Sequence, residues 1–160
     1  NPLEIIIITA TASNGAIGRG GIQPWYCKEE LLHFNKSTIG YPMIMGSATM
    51  KEIFQPLKGR ENLVLTSKSY NEEATGFLYF NSLENAISYC NNKDYKKLFI
   101  IGGESVYKQA IEIADRILIS VMDFSIKGDK YFPKIEEDKW ELENEDRRKN
   151  FVIYDYKRKV

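Results

Sequence analysis

Lys97-Leu98-Phe99-Ile100-Ile101-Gly102-Gly103-Glu104-Ser105 passes from an unbroken apolar run through two glycines into a segment of helical character that reaches about Ala114. A strand without polar alternation is one buried on both faces, as in a mostly parallel sheet covered by helices. Met43-Ile44-Met45-Gly46-Ser47-Ala48-Thr49 has the same design, and Ile5-Ile6-Ile7-Ile8 is a third run of that kind. Each glycine turn aims backbone N–H groups and a helix N-terminus at one edge of the sheet, where an anion can sit. Glycine also lets the backbone approach a pyrophosphate closely. One such turn is an ordinary strand-to-helix connection; two in one chain point to a dinucleotide. Neither turn fits GxGxxG or GxxxxGK[ST], which disfavours a standard Rossmann or P-loop site.

Outward from these turns, short β-branched and aromatic runs recur at Glu4 to Thr9, Pro42 to Met45, Asn62 to Thr66, Phe77 to Phe80, Lys97 to Ile101, Arg116 to Val121, Trp140 to Leu142 and Phe151 to Lys157. Phe151 to Lys157 interleaves apolar and polar residues, as an antiparallel edge strand does. Helices are expected at Lys28 to Ser37, Ser47 to Phe54, and from an Asn81 cap to Cys90 with Glu84 completing a capping box. The charged stretch Glu143 to Asn150 reads as a solvated turn. The expected fold class is α/β: a mostly parallel eight-stranded central sheet, about four flanking helices and an antiparallel C-terminal strand.

A chain of 160 residues is expected to form one domain over residues 1–160. It should bury roughly 70% of its unfolded surface, enough for a core without staples. Twenty-two basic and 22 acidic side chains leave no net charge. That argues against a nucleic-acid binder or a polybasic membrane anchor. Cys27 and Cys90 are too few for a disulfide scaffold and match no zinc spacing. The lone histidine, His33, makes a histidine-ligated metal site unexpected and removes Ser-His-Asp or Cys-His chemistry unless it is itself the base. No run is long enough for a membrane span, and no basic flank marks a signal peptide. A cytoplasmic, reducing-compartment protein is expected. Because the chain starts at Asn1 rather than Met, removal of an upstream residue is expected too.

Ile17-Gly18-Arg19-Gly20-Gly21-Ile22-Gln23-Pro24-Trp25 is a glycine-rich loop, followed by Glu29-Glu30-Leu31-Leu32-His33-Phe34. A loop abutting a tryptophan and a helix-borne carboxylate has the form of an active-site lid. Either glutamate alone reads better as favourable charge at a helix N-terminus.

With these segments the chain resembles dihydrofolate reductase. The likeness runs from Ile17-Gly18 and Pro24-Trp25, through Ile44-Met45-Gly46 and Pro56-Leu57-Lys58-Gly59-Arg60-Glu61-Asn62, to Ile101-Gly102-Gly103 with Val106-Tyr107 and Gly128-Asp129-Lys130-Tyr131-Phe132-Pro133. The resemblance implies that Glu30, five residues after Trp25, accepts two hydrogen bonds from the pterin 2-amino and N3 groups. Glu29 then faces away. Ser120 stands where the family bonds a threonine to that carboxylate. Trp25, Ser120 and Tyr107 join Glu30 in the implied catalytic set. Ile8, Leu31, Phe34, Ile53 and Leu57 are the implied pterin walls, with the carbonyls of Ile8 and Ile101 facing the ring. Arg60 is the implied clamp of the substrate's α-carboxylate; read without the family it is a surface arginine.

The implied cofactor is NADPH. Ala10 and the loop Ile17, Gly18, Arg19, Gly20, Gly21, Ile22 and Gln23 would flank the nicotinamide. Gly46, Ser47, Ala48 and Thr49, with Ile101, Gly102, Gly103, Glu104, Ser105, Val106 and Tyr107, would hold the pyrophosphate, the family having a cis bond between the paired glycines. Thr66, Ser67 and Lys68 would take the 2′-phosphate. Ser47 departs from the basic residue common after Met-Gly, so a narrower preference for NADPH over NADH is expected. Asp129 matches a residue that bonds the closed lid in some members and suits a plain Gly-Asp turn equally.

The implied reaction moves a hydride from NADPH to C6 of dihydrofolate, with water-mediated protonation at N5, serving one-carbon metabolism and thymidylate synthesis. An apolar pocket should raise the Glu30 pKa. Implied partners are dihydrofolate and antifolates, with no nucleic acid, no membrane and a monomeric, free-standing enzyme. Two alternatives stand beside this: the related reductase of a ribosylaminopyrimidine in riboflavin synthesis, which lacks the carboxylate five residues after Trp, and a non-catalytic nucleotide-binding module, which needs no Glu30, Arg60 and Trp25 together.

Overall fold

The computed structural model describes residues 2–18, 24–68 and 70–160. Its strands are β1 (Glu4–Thr11), β2 (Ala16–Gly18), β3 (Met43–Gly46), β4 (Asn62–Leu65), β5 (Leu78–Phe80), β6 (Lys97–Gly102), β7 (Arg116–Met122), β8 (Lys130–Tyr131), β9 (Trp140–Arg147) and β10 (Phe151–Arg158). The helices are α1 (Lys28–Thr38), α2 (Ser47–Ile53), α3 (Glu72–Thr75), α4 (Leu83–Asn92) and α5 (Glu104–Ala110). Eight strands form one sheet in the order β5-β4-β3-β6-β1-β7-β10-β9, while β2 and β8 form a separate ribbon. Pairings from β5 to β7 are parallel, and β10 is antiparallel to both its neighbours. This is the α/β architecture expected from the sequence.

The apolar runs are unbroken because helices cover both faces. Ile7 packs with Leu98, Ile100 and Ile117 beneath α4 and α5, through Leu83, Ala86, Cys90 and Ala110. Its neighbours Ile6 and Ile8 point the other way, toward Phe34 of α1. In β3 the same alternation sends Ile44 to the first core and Met43 and Met45 to Met50 of α2.

Four local expectations change. A fifth, four-residue helix, α3, is capped by the Asn71 side chain, which accepts from Ala74 N–H at 3.2 Å. The α4 cap is Ser82, whose hydroxyl accepts from Asn85 N–H at 3.1 Å; Asn81 instead bonds the Asn85 side-chain amide at 2.7 Å. Helix α5 stops at Ala110, short of Ala114. Glu143 to Arg147 is strand, so β9 is the outer edge and β10 lies inside it. Charged residues suit an edge strand because water takes their side chains, and they discourage pairing with other chains. No helix among the described residues is long and apolar enough to cross a membrane.

Helix α2 ends in a γ-turn. Phe54 has φ 71° and ψ −42°, and Gln55 N–H donates to Ile53 O at 2.7 Å. That is a strained conformation for a residue with a Cβ, and the ring recovers little, being 81% exposed. Phe54→Gly is expected to raise stability by about 0.5–1 kcal/mol, the relieved strain exceeding glycine's added chain entropy. Urea unfolding measures this; a loss of stability would contradict it.

Candidate active site

Strand β1 pairs with β6 only as far as Ile7↔Ile100, but follows β7 on to Thr11↔Val121. The chain leaves β1 toward β3 and leaves β6 toward β7, so connections diverge on the two sides of this seam. That is a topological switch point, where open α/β sheets bind ligands. Ile8 and Ile101 flank the opened seam, and a cavity of about 510 Å³ lies over it.

Helix α1 presents Glu30, Leu31, Phe34 and Asn35 to this cavity. The spacing i, i+1, i+4, i+5 is one helical face. Glu29 falls outside that face, where its carboxylate holds Arg148 Nη1 at 3.0 Å on the protein exterior. Glu30 is only 5% exposed. Loss of hydration without a compensating cation pushes its pKa up from 4.5 to about 7. The Oγ of Ser120, in β7, is buried with no hydrogen-bond partner among the described residues, so the expected bond to the Glu30 carboxylate is not made, and Ser120 lies outside the cavity lining. His33, one turn beyond Glu30, does not line the cavity, and desolvation lowers its pKa.

The opposite wall is made by the two glycine turns. Gly46 to Thr49 and Gly103 to Ser105 line it, and neither α2 nor α5 has a side-chain cap on its first N–H groups. The turns touch one another: a Cβ on Gly46 would lie 3.1 Å from Val106 Cγ2 and 3.8 Å from Gly102 O. The Gly102-Gly103 peptide is cis. Beneath it Tyr107 Oη donates to Ile8 O at 3.2 Å, and burial holds the phenol well above its ordinary pKa, so it remains a donor. Uncapped N–H groups beside glycine-lined walls fit an anionic dinucleotide.

Of the residues singled out in the sequence, Ile8, Ala10, Ile17, Gly18, Glu30, Leu31, Phe34, Gly46, Ser47, Ala48, Thr49, Ile53, Leu57, Ile101, Gly103, Glu104, Ser105 and Tyr107 line this one cavity. Gly102 and Val106 lie buried directly behind it. Trp25 packs edge-on against Phe124, centroids 5.6 Å apart. Arg60 stands at the rim, donating through Nη1 to Asn35 Oδ1 and Thr38 Oγ1, each at 3.0 Å. Thr66, Ser67 and Lys68 follow the carboxyl end of β4 on the same sheet edge, outside the lining. Arg19, Gly20, Gly21, Ile22 and Gln23 lie outside the described residues.

The family model described as dihydrofolate reductase matches residues 4–158, nearly the whole chain. The chain belongs to the dihydrofolate reductase family. A dihydrofolate reductase of Neisseria gonorrhoeae is 37% identical over 148 residues, 91% of this chain and 90% of that protein. One from Haemophilus influenzae is 32% identical over 143 residues, covering 89% and 87%. In structure the chain is similar to dihydrofolate reductase from Enterococcus faecalis complexed with NADP(H) and RAB-propyl, with TM-score 0.88, 28% identity, and coverage of 98% and 97%.

Within this dihydrofolate reductase cavity, Thr9, Asn35, Glu52 and Lys130 are lining residues that reading the sequence did not single out. Two had a signal. Asn35 follows Leu31 by one turn, and Glu52 stands to Ala48 as Phe34 does to Glu30. Lys130 lay within the quoted Gly128 to Pro133 segment without a site role, because it reaches the cavity only through the pairing of β8 with β2.

Proposed function

We propose that the protein reduces 7,8-dihydrofolate to 5,6,7,8-tetrahydrofolate with NADPH, acting as a monomer on small molecules and not on nucleic acid. The observation that carries this is Glu30, a buried carboxylate that lines the cavity together with Ile8, Leu31 and Phe34. Its two oxygens suit the paired N–H donors of a pterin, a charge-assisted bidentate arrangement. Ile8, Leu31, Phe34, Ile53 and Leu57 would sandwich the ring. Arg60, braced by Asn35 and Thr38, would meet the α-carboxylate of the glutamate tail.

The glycine turns after β3 and β6 would hold the cofactor pyrophosphate, and Thr66, Ser67 and Lys68 the 2′-phosphate. With Ser47 in place of a base, discrimination against NADH would be narrower than with a cation there. When bound, the reduced nicotinamide supplies the hydride that pterin C6 accepts. Tyr107 fixes the Ile8 carbonyl beside that reaction centre. Glu30, half-protonated near neutral pH, biases the pterin toward N5 protonation, the proton arriving through water admitted beside Trp25. Loss of absorbance at 340 nm when NADPH is mixed with dihydrofolate, suppressed by methotrexate, tests the reading. No oxidation and no antifolate binding would defeat it.

A further inference from the structure

The cavity wall carries three carboxylates, Glu30, Glu52 and Glu104, and among its described lining residues one cation, Lys130. That balance is poor for the anionic cofactor proposed above, and Ser47 adds no charge. Lys130 reaches the cavity through two backbone constraints. It pairs with Gly18 in the β2–β8 ribbon. Its neighbour Tyr131 donates its N–H to Glu104 Oε2 at 2.8 Å, which pins β8 against the first turn of α5. The Glu104 carboxylate is occupied by that N–H and, at 3.9 Å, by Lys108. Lys130 itself forms no ion pair among the described residues.

We propose that Lys130 is a cofactor-binding residue whose ammonium contacts the pyrophosphate of the dinucleotide at Gly103 to Ser105. This rests on the NADPH reading above. The pyrophosphate is favoured over the 2′-phosphate by topology. Lys130 adjoins the turn after β6, whereas Thr66 to Lys68 follow β4, two strands away in the sheet, or about 10 Å. Because β8 is paired with β2, the same contact ties the cofactor to the strand that leads into the glycine-rich loop.

Quenching of intrinsic tryptophan fluorescence by NADPH, NADH and dihydrofolate tests the assignment in wild type, Lys130→Gln and Lys130→Arg, at low and high salt. Lys130→Gln is expected to weaken NADPH and NADH alike by about three- to tenfold, less at high salt. Lys130→Arg should stay within about twofold, and dihydrofolate affinity should be unchanged in both variants. Equal dinucleotide binding by wild type and Lys130→Gln overturns the assignment alone. Weakening of NADPH without NADH overturns it in favour of the 2′-phosphate. A wild-type protein that binds neither dinucleotide overturns the functional reading together with it.

Discussion

Glu30→Gln is expected to slow the hydride step at neutral pH about a hundredfold, the scale of a lost proton-donating group, and to abolish its pH dependence. Glutamine keeps the shape and one acceptor but holds no exchangeable acid. In the wild type the carboxyl is pushed up to about 7 by burial, so its protonated fraction, and with it the hydride rate, should fall as pH rises through 7. Stopped-flow measurement of NADPH oxidation across pH 5–9 reads both effects. A variant within threefold of wild type would remove Glu30 from the chemistry.

The same group sets a stability effect of opposite sign. An unfolded chain releases this proton near 4.5, whereas the folded protein keeps it until about 7. Between those values the folded state binds more protons, so stability falls as pH rises, and above 7 the whole penalty applies. It amounts to roughly 3–4 kcal/mol. Glu30→Gln should therefore be more stable than wild type at pH 8, with the advantage gone below pH 4.5. Apoenzyme thermal unfolding at the two pH values checks this. A slower variant that is also more stable at pH 8 is the mark of a charge kept for function.

Gly102→Ala is expected to cost about 3–5 kcal/mol and to remove dinucleotide binding. Two independent effects add. At φ +119° the backbone lies where side chains are rarely accommodated, and a Cβ would sit 3.1 Å from Tyr107 Oη, 3.2 Å from its Cζ and 3.3 Å from its Cε2. The ring cannot retreat: it is 3% exposed, bonded to Ile8 O, and packed on Phe132 at 5.0 Å between centroids. Gly103→Ala is the contrast. There φ is −89°, and the added Cβ meets only Thr49 Oγ1 at 3.7 Å, so dinucleotide affinity should fall while stability changes by less than about 1 kcal/mol. Urea unfolding with NADPH titration separates the pair. Equal stability of the two variants would refute the steric account.

Periodicity and glycine placement made the strand–turn–helix units legible, because a strand buried on both faces must be apolar throughout. The two turns were legible through their residue types and spacing, whereas Glu30 was distinguished from Glu29 only by the family resemblance. The charged part of β9 was not legible: Trp140 to Leu142 was expected as strand, but Glu143 to Arg147 lacks apolar alternation, and its strand state comes from pairing with β10. Nor was the β2–β8 ribbon, whose strands are three and two residues long and gain their structure from each other. Arg60 was legible as a guanidinium in a turn, but its bracing by Asn35 and Thr38 depends on α1 lying beside it.

The sequence alone determined that the chain is α/β, that two glycine turns stand at strand ends, and that its one histidine leaves little imidazole chemistry to invoke. Its zero net charge also meant that any anion must be held by local fields. Those properties reside in residue type and near spacing, which the chain carries folded or not. Tertiary structure decided that β6 lies between β3 and β1, which opens the seam at Ile8 and Ile101. It decided that α1 turns Glu30 rather than Glu29 inward, which moves a carboxyl pKa by burial alone. It also brought Lys130 to a wall built from distant segments. Each of these arises from contacts between residues far apart in sequence, whose energy exists only once the sheet is assembled.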